Sequence, residues 1–87
     1  MKIYKYVLEL TDKQTISIPA PARILSVEAK FGSIVIYAMV EPGATEVKRT
    51  FYVVGTGHSA DHVNCRPFIG TVKMADGGLM FHVFTDW

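Results

Sequence analysis

The stretch Ile34-Val35-Ile36-Tyr37-Ala38-Met39-Val40 decides the fold, because it is apolar on both of its faces. Side chains of a strand alternate between two faces, so this stretch predicts a central strand that is covered on both sides. One face belongs in the domain core. The other is expected at a subunit boundary, because a chain of 87 residues has little else to cover it.

Alternation of apolar and polar residues continues on both sides of this stretch, which is the pattern of strands rather than helices. Turn-forming residues separate the alternating segments: proline at 19, 21 and 42, Gly32-Ser33, and Asp76-Gly77-Gly78, which predicts a tight hairpin. The predicted strands cover residues 2–10, 14–18, 23–31, 34–40, 46–54, 68–75 and 79–85. The sequence therefore predicts one all-β domain over residues 1–87, a small antiparallel β-sandwich or barrel of about seven strands.

Charge and hydropathy narrow the classes of partner. Nine basic and eight acidic residues give a net charge of +1, which does not draw the whole protein to nucleic acid polymers or anionic membranes. The longest apolar run, 34–40, is far shorter than the roughly 20 residues that span a bilayer. Residues 1–10 lack the uninterrupted apolar stretch of a signal peptide. The lone Cys65 allows no intrachain disulfide. We therefore expect a cytoplasmic protein without a membrane partner.

The segment 55–67 reads Gly-Thr-Gly-His-Ser-Ala-Asp-His-Val-Asn-Cys-Arg-Pro and is long for a loop in a compact β domain. Its glycines allow backbone N–H groups to converge on an anion, to which hydroxyl and imidazole groups can also donate. A phosphate or pyrophosphate suits such a site. The alternative is a turn shaped by glycine, whose hydroxyls satisfy the loop's own backbone. The predicted anion-binding residues are Gly55, Thr56, Gly57, His58 and Ser59, with Lys48, Arg49 and Arg66 to neutralise charge.

The same segment allows two other interpretations. His58, His62 and Cys65, with Asp61 between them, are zinc-ligand types, but a spacing of four between histidines suits a helix and the segment has no helical pattern. The alternative is two solvated histidines and an incidental thiol. A catalytic arrangement would use Asp61 and a histidine against Ser59 or Cys65, all within one loop that no rigid scaffold orients. We expect no metal, no cofactor and no catalytic residue.

Aromatic side chains provide the remaining candidate contacts. Tyr37, Tyr52 and Trp87 are candidates for stacking on the planar base of a ligand. The alternative is that each lies in the core or at an interface. Trp87 is the last residue and must either dock or be exposed; docking across a subunit boundary would suit it.

Seven short motifs spread over nearly the whole chain carry a family resemblance: IYKY at 3–6, TDKQTI at 11–16, ARILSV at 22–27, YAMVEP at 37–42, VGTGH at 54–58, FIGTV at 68–72 and FHVF at 81–84. With these motifs the chain resembles a family of small proteins that phages and prophages encode. Two places depart from the family pattern. Tyr37 stands where a tryptophan is common, and residues 62–67 lie where the family varies, which weakens the metal interpretation.

The family has no settled activity, but the resemblance implies a phage protein, and small non-enzymatic phage proteins often counter host defence. By analogy, the expected function is a homo-oligomer in the host cell cytoplasm that sequesters a phosphate-bearing nucleotide immune signal, such as a cyclic ADP-ribose-like molecule or a cyclic dinucleotide. The alternatives are a protein–protein inhibitor of a host defence factor or a virion-associated structural module. A small hydrolase or metal-dependent enzyme is a third interpretation.

Overall fold

A computed structural model describes residues 1–86, apart from the side chain of residue 76. These residues form seven strands and two short 3-10 turns. No helix among them has the length and hydropathy that crossing a bilayer requires. The strands are β1 (Lys2–Leu8), β2 (Lys13–Pro19), β3 (Ala22–Lys30), β4 (Ser33–Val40), β5 (Glu46–Gly55), β6 (Phe68–Met74) and β7 (Leu79–Thr85). The predicted all-β fold of seven strands is confirmed.

The strands form two antiparallel sheets. Sheet A has the order β1-β4-β3, and sheet B has the order β2-β5-β7-β6. The inner faces of the two sheets enclose one apolar core, and each sheet contributes side chains from alternate positions of its strands. Its fully buried members include Ile34 and Ile36 of sheet A and Phe51 and Val83 of sheet B.

The central strand β4 is covered unequally on its two faces. Ile34, Ile36, Ala38 and Val40 point inward and are 0% exposed. On the outer face, Val35 is also buried, whereas Tyr37 and Met39 are half-buried. The neighbouring strand β1 leaves Ile3 and Val7 exposed on that same outer face. The predicted core face is therefore present, and the predicted subunit boundary on the other face stays a prediction.

The sandwich is closed along one side by contact between the edge strands β3 and β6. Gly70 lies on β6 and faces β3. A Cβ at this position would lie only 2.8 Å from Cγ1 of Val27 on β3. Glycine at 70 is therefore what allows the two sheets to approach each other here.

Two turns differ from the sequence prediction. Lys30 pairs with Ser33, so the β3–β4 loop consists of Phe31 and Gly32, at φ +52° and +77°, and not of the predicted Gly32-Ser33. Between β6 and β7, Met74 pairs with Leu79, which makes a four-residue loop in place of the predicted tight Asp-Gly turn. Positive φ at two successive residues matches the right-handed twist of a hairpin, and this explains the geometry of the first loop.

We expect the backbone amides of β4 to exchange with solvent more slowly than those of the other strands. The strand is central in sheet A and its inward side chains are fully buried, so exchange there requires global unfolding. Residue-resolved hydrogen exchange measures this directly. Faster exchange in β4 than in the edge strand β1 would contradict the assignment.

Candidate ligand-binding site

The segment between β5 and β6 is long because of the order of the strands in sheet B. Both β5 and β6 are antiparallel to β7, which lies between them, so β5 and β6 run parallel. The chain that leaves Gly55 must cross the outer face of the sheet to enter β6 at Phe68. A connection between parallel strands needs about a dozen residues. The topology alone therefore accounts for the length of the segment.

The crossing segment covers part of sheet B with a second, smaller apolar cluster. Val63 is 1% exposed and packs on Tyr52, Val54 and Phe84. The ring of His62 meets the Tyr52 ring edge-on at 6.1 Å, and the guanidinium carbon of Arg66 lies 5.0 Å from the Tyr52 ring centre. Tyr52 is thus covered by the protein's own side chains and offers no open face on which a base can stack, contrary to the prediction.

Two backbone N–H groups of the glycine turn at 55–58 are hydrogen-bonded to carbonyl groups of the protein. The His58 N–H donates to the Gly55 carbonyl at 3.0 Å, and the Thr56 N–H donates to the Met80 carbonyl at 3.1 Å. Gly57 has a φ of +90°, which fits the third position of a turn that requires glycine there. The conformation of the turn therefore explains Gly57, and the amides of Thr56 and His58 are already hydrogen-bonded within the protein.

His82 holds the side chain of Thr56 in place. The Thr56 hydroxyl lies 2.7 Å from Nε2 of His82, and the Thr71 hydroxyl lies 2.8 Å from Nδ1. Each ring nitrogen of His82 therefore has a threonine hydroxyl as its hydrogen-bond partner. The half-buried His82 is thereby a positioning residue behind the turn.

A cleft of about 420 Å³ lies between this turn and the start of β7. The lining comes from the turn residues Gly55, Thr56 and His58 and from Leu79, Met80 and Phe81 of β7. The turn residues were predicted from sequence. The β7 residues were not, because their place opposite Gly55 depends on the strand order of sheet B. No pattern in the sequence indicates that β7 pairs with β5.

Lys48 and Arg49 lie far from this cleft. They are near the start of β5, whereas Gly55 is its last residue. At about 3.3 Å per residue the separation is roughly 20 Å. The structure therefore does not bring these two basic residues to the predicted anion-binding turn.

Arg49 points into the other end of the sandwich and is engaged by the protein itself. Its Nε donates to the Thr85 hydroxyl at 3.2 Å, its Nη1 to the Ala22 carbonyl at 3.1 Å and its Nη2 to the Asp86 carbonyl at 3.4 Å. An ion pair of 3.7 Å joins Nε to the Asp86 carboxylate. These contacts connect β3, β5 and the end of β7, so the role of Arg49 is to hold the two sheets together.

The other predicted contacts are dispersed. Tyr37 lies on the outer face of sheet A, on the opposite side of the sandwich from the cleft. Its hydroxyl donates to the Glu28 carboxylate at 2.8 Å. This hydrogen bond is the main reason that the pKa of the Tyr37 phenol is raised. Ser59 and Cys65 are exposed, and Trp87 lies outside the described residues. Among residues 1–86, with the side chain of residue 76 left aside, no group of three or more His, Cys, Asp and Glu side chains is placed to hold a metal ion.

Comparison with known proteins identifies a family whose function is unknown. No curated protein and no solved structure matches the chain. One family matches over residues 1–87, and its description is "Domain of unknown function (DUF7352)". Because the match covers the whole chain, the protein belongs to the DUF7352 family.

Proposed function

We propose that the chain is a non-enzymatic binding protein that holds a phosphate-bearing nucleotide in the cleft between the 55–58 turn and β7. The observation that carries the proposal is the mixed polar and apolar lining of this cleft. Thr56 and His58 contribute a hydroxyl and an imidazole to the lining, and Leu79 and Met80 contribute apolar groups. Small-molecule sites combine an apolar lining with a few polar groups that fix orientation.

The resemblance to phage-encoded proteins suggests a biological role for nucleotide binding. A protein that holds a nucleotide immune signal without turning it over would keep that signal from its effector. In this proposal the phosphate contacts Thr56 and His58, and the base contacts Leu79 and Met80. Ser59 is exposed and does not line the cleft. The proposed site does not include four residues that the sequence suggested. They lie far from the cleft or are covered by other side chains: Lys48, Arg49, Tyr37 and Tyr52.

Calorimetry with cyclic dinucleotides and ADP-ribose derivatives tests the proposal. We expect saturable binding to at least one of them, and we expect His58→Ala to weaken it by about tenfold, the loss of one charge-assisted or strong hydrogen bond to phosphate. His62→Ala is the matched control, because His62 packs on Tyr52 outside the cleft. Gly57→Val is unsuitable, since a φ of +90° strains any valine.

The fate of the ligand separates binding from catalysis. After denaturation of the complex, mass spectrometry should recover the ligand unchanged. An altered product would identify an enzyme. If no member of the panel binds at high micromolar concentration, the nucleotide proposal fails.

Self-association through the outer face of sheet A is part of the proposal. Ile3 is 57% and Val7 55% exposed, with Lys5 between them on the same face, next to Val35, Tyr37 and Met39 of β4. Apolar area of this kind on a small domain is typical of interaction surfaces.

Val7→Lys should lower the mass measured by light scattering if this face joins two copies. Val47→Lys is the control, since Val47 is similarly exposed, at 46%, but lies on sheet B. A wild-type protein that is monomeric at high micromolar concentration would exclude self-association.

A second candidate function is inhibition of another protein, and the same outer face of sheet A favours it. An inhibitor would use Ile3 and Val7 to bind its target and would ignore nucleotides. Three results together would support this candidate over the first. The wild-type protein would be monomeric, it would bind no nucleotide, and the Val7→Lys variant would no longer bind the target.

A further inference from the structure

A second cleft, of about 320 Å³, lies between the tips of the β3–β4 and β6–β7 hairpins. Lys30 and Phe31 line it from the first hairpin. Lys73, Met74 and Ala75 line it from the second. It is separate from the cleft at 55–58, because the two clefts share no lining residue.

Backbone strain is concentrated in this cleft. Phe31 and Ala75 both have φ +52°, and in residues 1–86 they are the only residues other than glycine with positive φ. Left-handed backbone is unfavourable for a residue with a Cβ, and for a bulky side chain it is a rare outlier. Such residues tend to gather at functional sites, where binding justifies the strain. Here both of them line the same cleft.

The fold does not explain a phenylalanine at position 31. Its side chain is 95% exposed, so burial in the core does not offset the strain. A two-residue turn of this type is favoured by Asn-Gly or Asp-Gly. The Lys30 ammonium lies 5.8 Å from the ring centre. The ring is therefore held in water beside a cation.

We propose that this hairpin-tip cleft binds a mononucleotide-type ligand, an aromatic ring system that carries a phosphate. The exposed face of Phe31 would stack on the ring system, as aromatic side chains do with nucleobases. Lys30 and Lys73 would supply positive charge for the phosphate. The ligand class is that of the proposed function, but this inference does not require the cleft at 55–58 to be occupied.

The combination of groups selects this ligand class over simpler ones. Inorganic phosphate would contact the two lysines but would not account for the exposed aromatic ring of Phe31. An uncharged aromatic molecule would use Phe31 and leave Lys30 and Lys73 without a role. A volume of about 320 Å³ is at the lower end of the range for small-molecule sites, which suits a ligand of mononucleotide size.

NMR titration of the 15N-labelled protein with AMP tests the inference, with adenosine and inorganic phosphate as the two partial ligands. We expect AMP to shift the amides of residues 30–32 and 73–77, and to bind about tenfold more tightly than either partial ligand. Phe31→Ala should weaken AMP binding by about tenfold. Lys30→Gln and Lys73→Gln should each weaken it severalfold, and added salt should do the same. Lys48→Gln, at an exposed lysine remote from this cleft, should leave it unchanged.

Phe31→Asn separates a binding role from a structural one. Asparagine tolerates positive φ, so this variant should unfold at a higher temperature than the wild type while it binds AMP as weakly as Phe31→Ala. Equal AMP affinity of Phe31→Asn and the wild type would overturn the inference. So would shifts at millimolar AMP that are confined to residues 55–58 and 79–81, a result that would support the proposed function instead. Shifts confined to 30–32 and 73–77 would support this inference and count against the first cleft.

Discussion

Arg49→Ala should lower the free energy of unfolding by about 3 kcal/mol, the largest effect that we expect from a single substitution outside the apolar core. The Arg49 side chain is 18% exposed and makes three hydrogen bonds, to Ala22, Thr85 and Asp86. Its loss leaves the Asp86 carboxylate without its cation. Since Oδ1 of Asp86 is buried and has no hydrogen bond, the ion pair is its one favourable contact among the described residues. Urea denaturation measures the change.

Two control variants test whether the geometry of the guanidinium matters. Arg49→Lys keeps the charge but cannot reach three acceptors at once, so it should recover only part of the loss. Lys48→Ala removes a neighbouring charge that is exposed and should change the stability by less than about 0.5 kcal/mol. If Arg49→Ala were fully stable and only nucleotide binding fell, the structural role would be wrong and the role predicted from sequence would be restored.

Gly70→Ala should destabilise the fold by about 2 kcal/mol. The added Cβ would lie 2.8 Å from Cγ1 of Val27, a separation that packed carbon atoms do not reach. Val27 is β-branched and lies on a strand, so it has little freedom to turn away. The sheets must separate along the β3–β6 side to accept the methyl group. Thermal or urea unfolding of the variant gives the magnitude.

A double-mutant cycle with Val27→Ala isolates the contact between the two residues. Val27→Ala alone removes half-buried methyl groups and should be destabilising. In the double variant the clash is absent, so the combined loss should be smaller than the sum of the two single losses. Gly55→Ala is the matched control, because its Cβ would meet neighbours at 3.6 Å or more. Additive losses would show that Gly70 and Val27 do not limit the approach of the sheets.

Much of the fold follows from the alternation of side chains, which depends on local sequence alone. The strands were predicted to within a few residues, including β4 with its two apolar faces. The order of the strands was not, because the pairing of β7 between β5 and β6 depends on contacts between distant residues. The turn at Phe31 was misplaced by one residue, since the sequence rule favours glycine or asparagine at positive φ and Phe31 breaks it.

The candidate site was only partly predictable. The 55–58 turn was identified by its glycines, and it does line a cleft. Lys48 and Arg49 were assigned to it because they are close in sequence, but an extended strand separates them from Gly55 by roughly 20 Å. The second cleft was missed entirely, because Lys30 and Lys73 are 43 positions apart in sequence and meet only when two hairpins reach the same end of the sandwich.

The place of β7 in the middle of sheet B has a consequence for synthesis on the ribosome. β7 is the seventh strand in sequence, and both β5 and β6 pair with it. While the ribosome's exit tunnel still holds β7, β5 has only β2 as a partner and β6 has none within its sheet. Sheet B therefore closes only after β7 has left the tunnel, and until then β5 exposes an unpaired edge. Chaperone capture of stalled chains should thus fall sharply once β7 emerges.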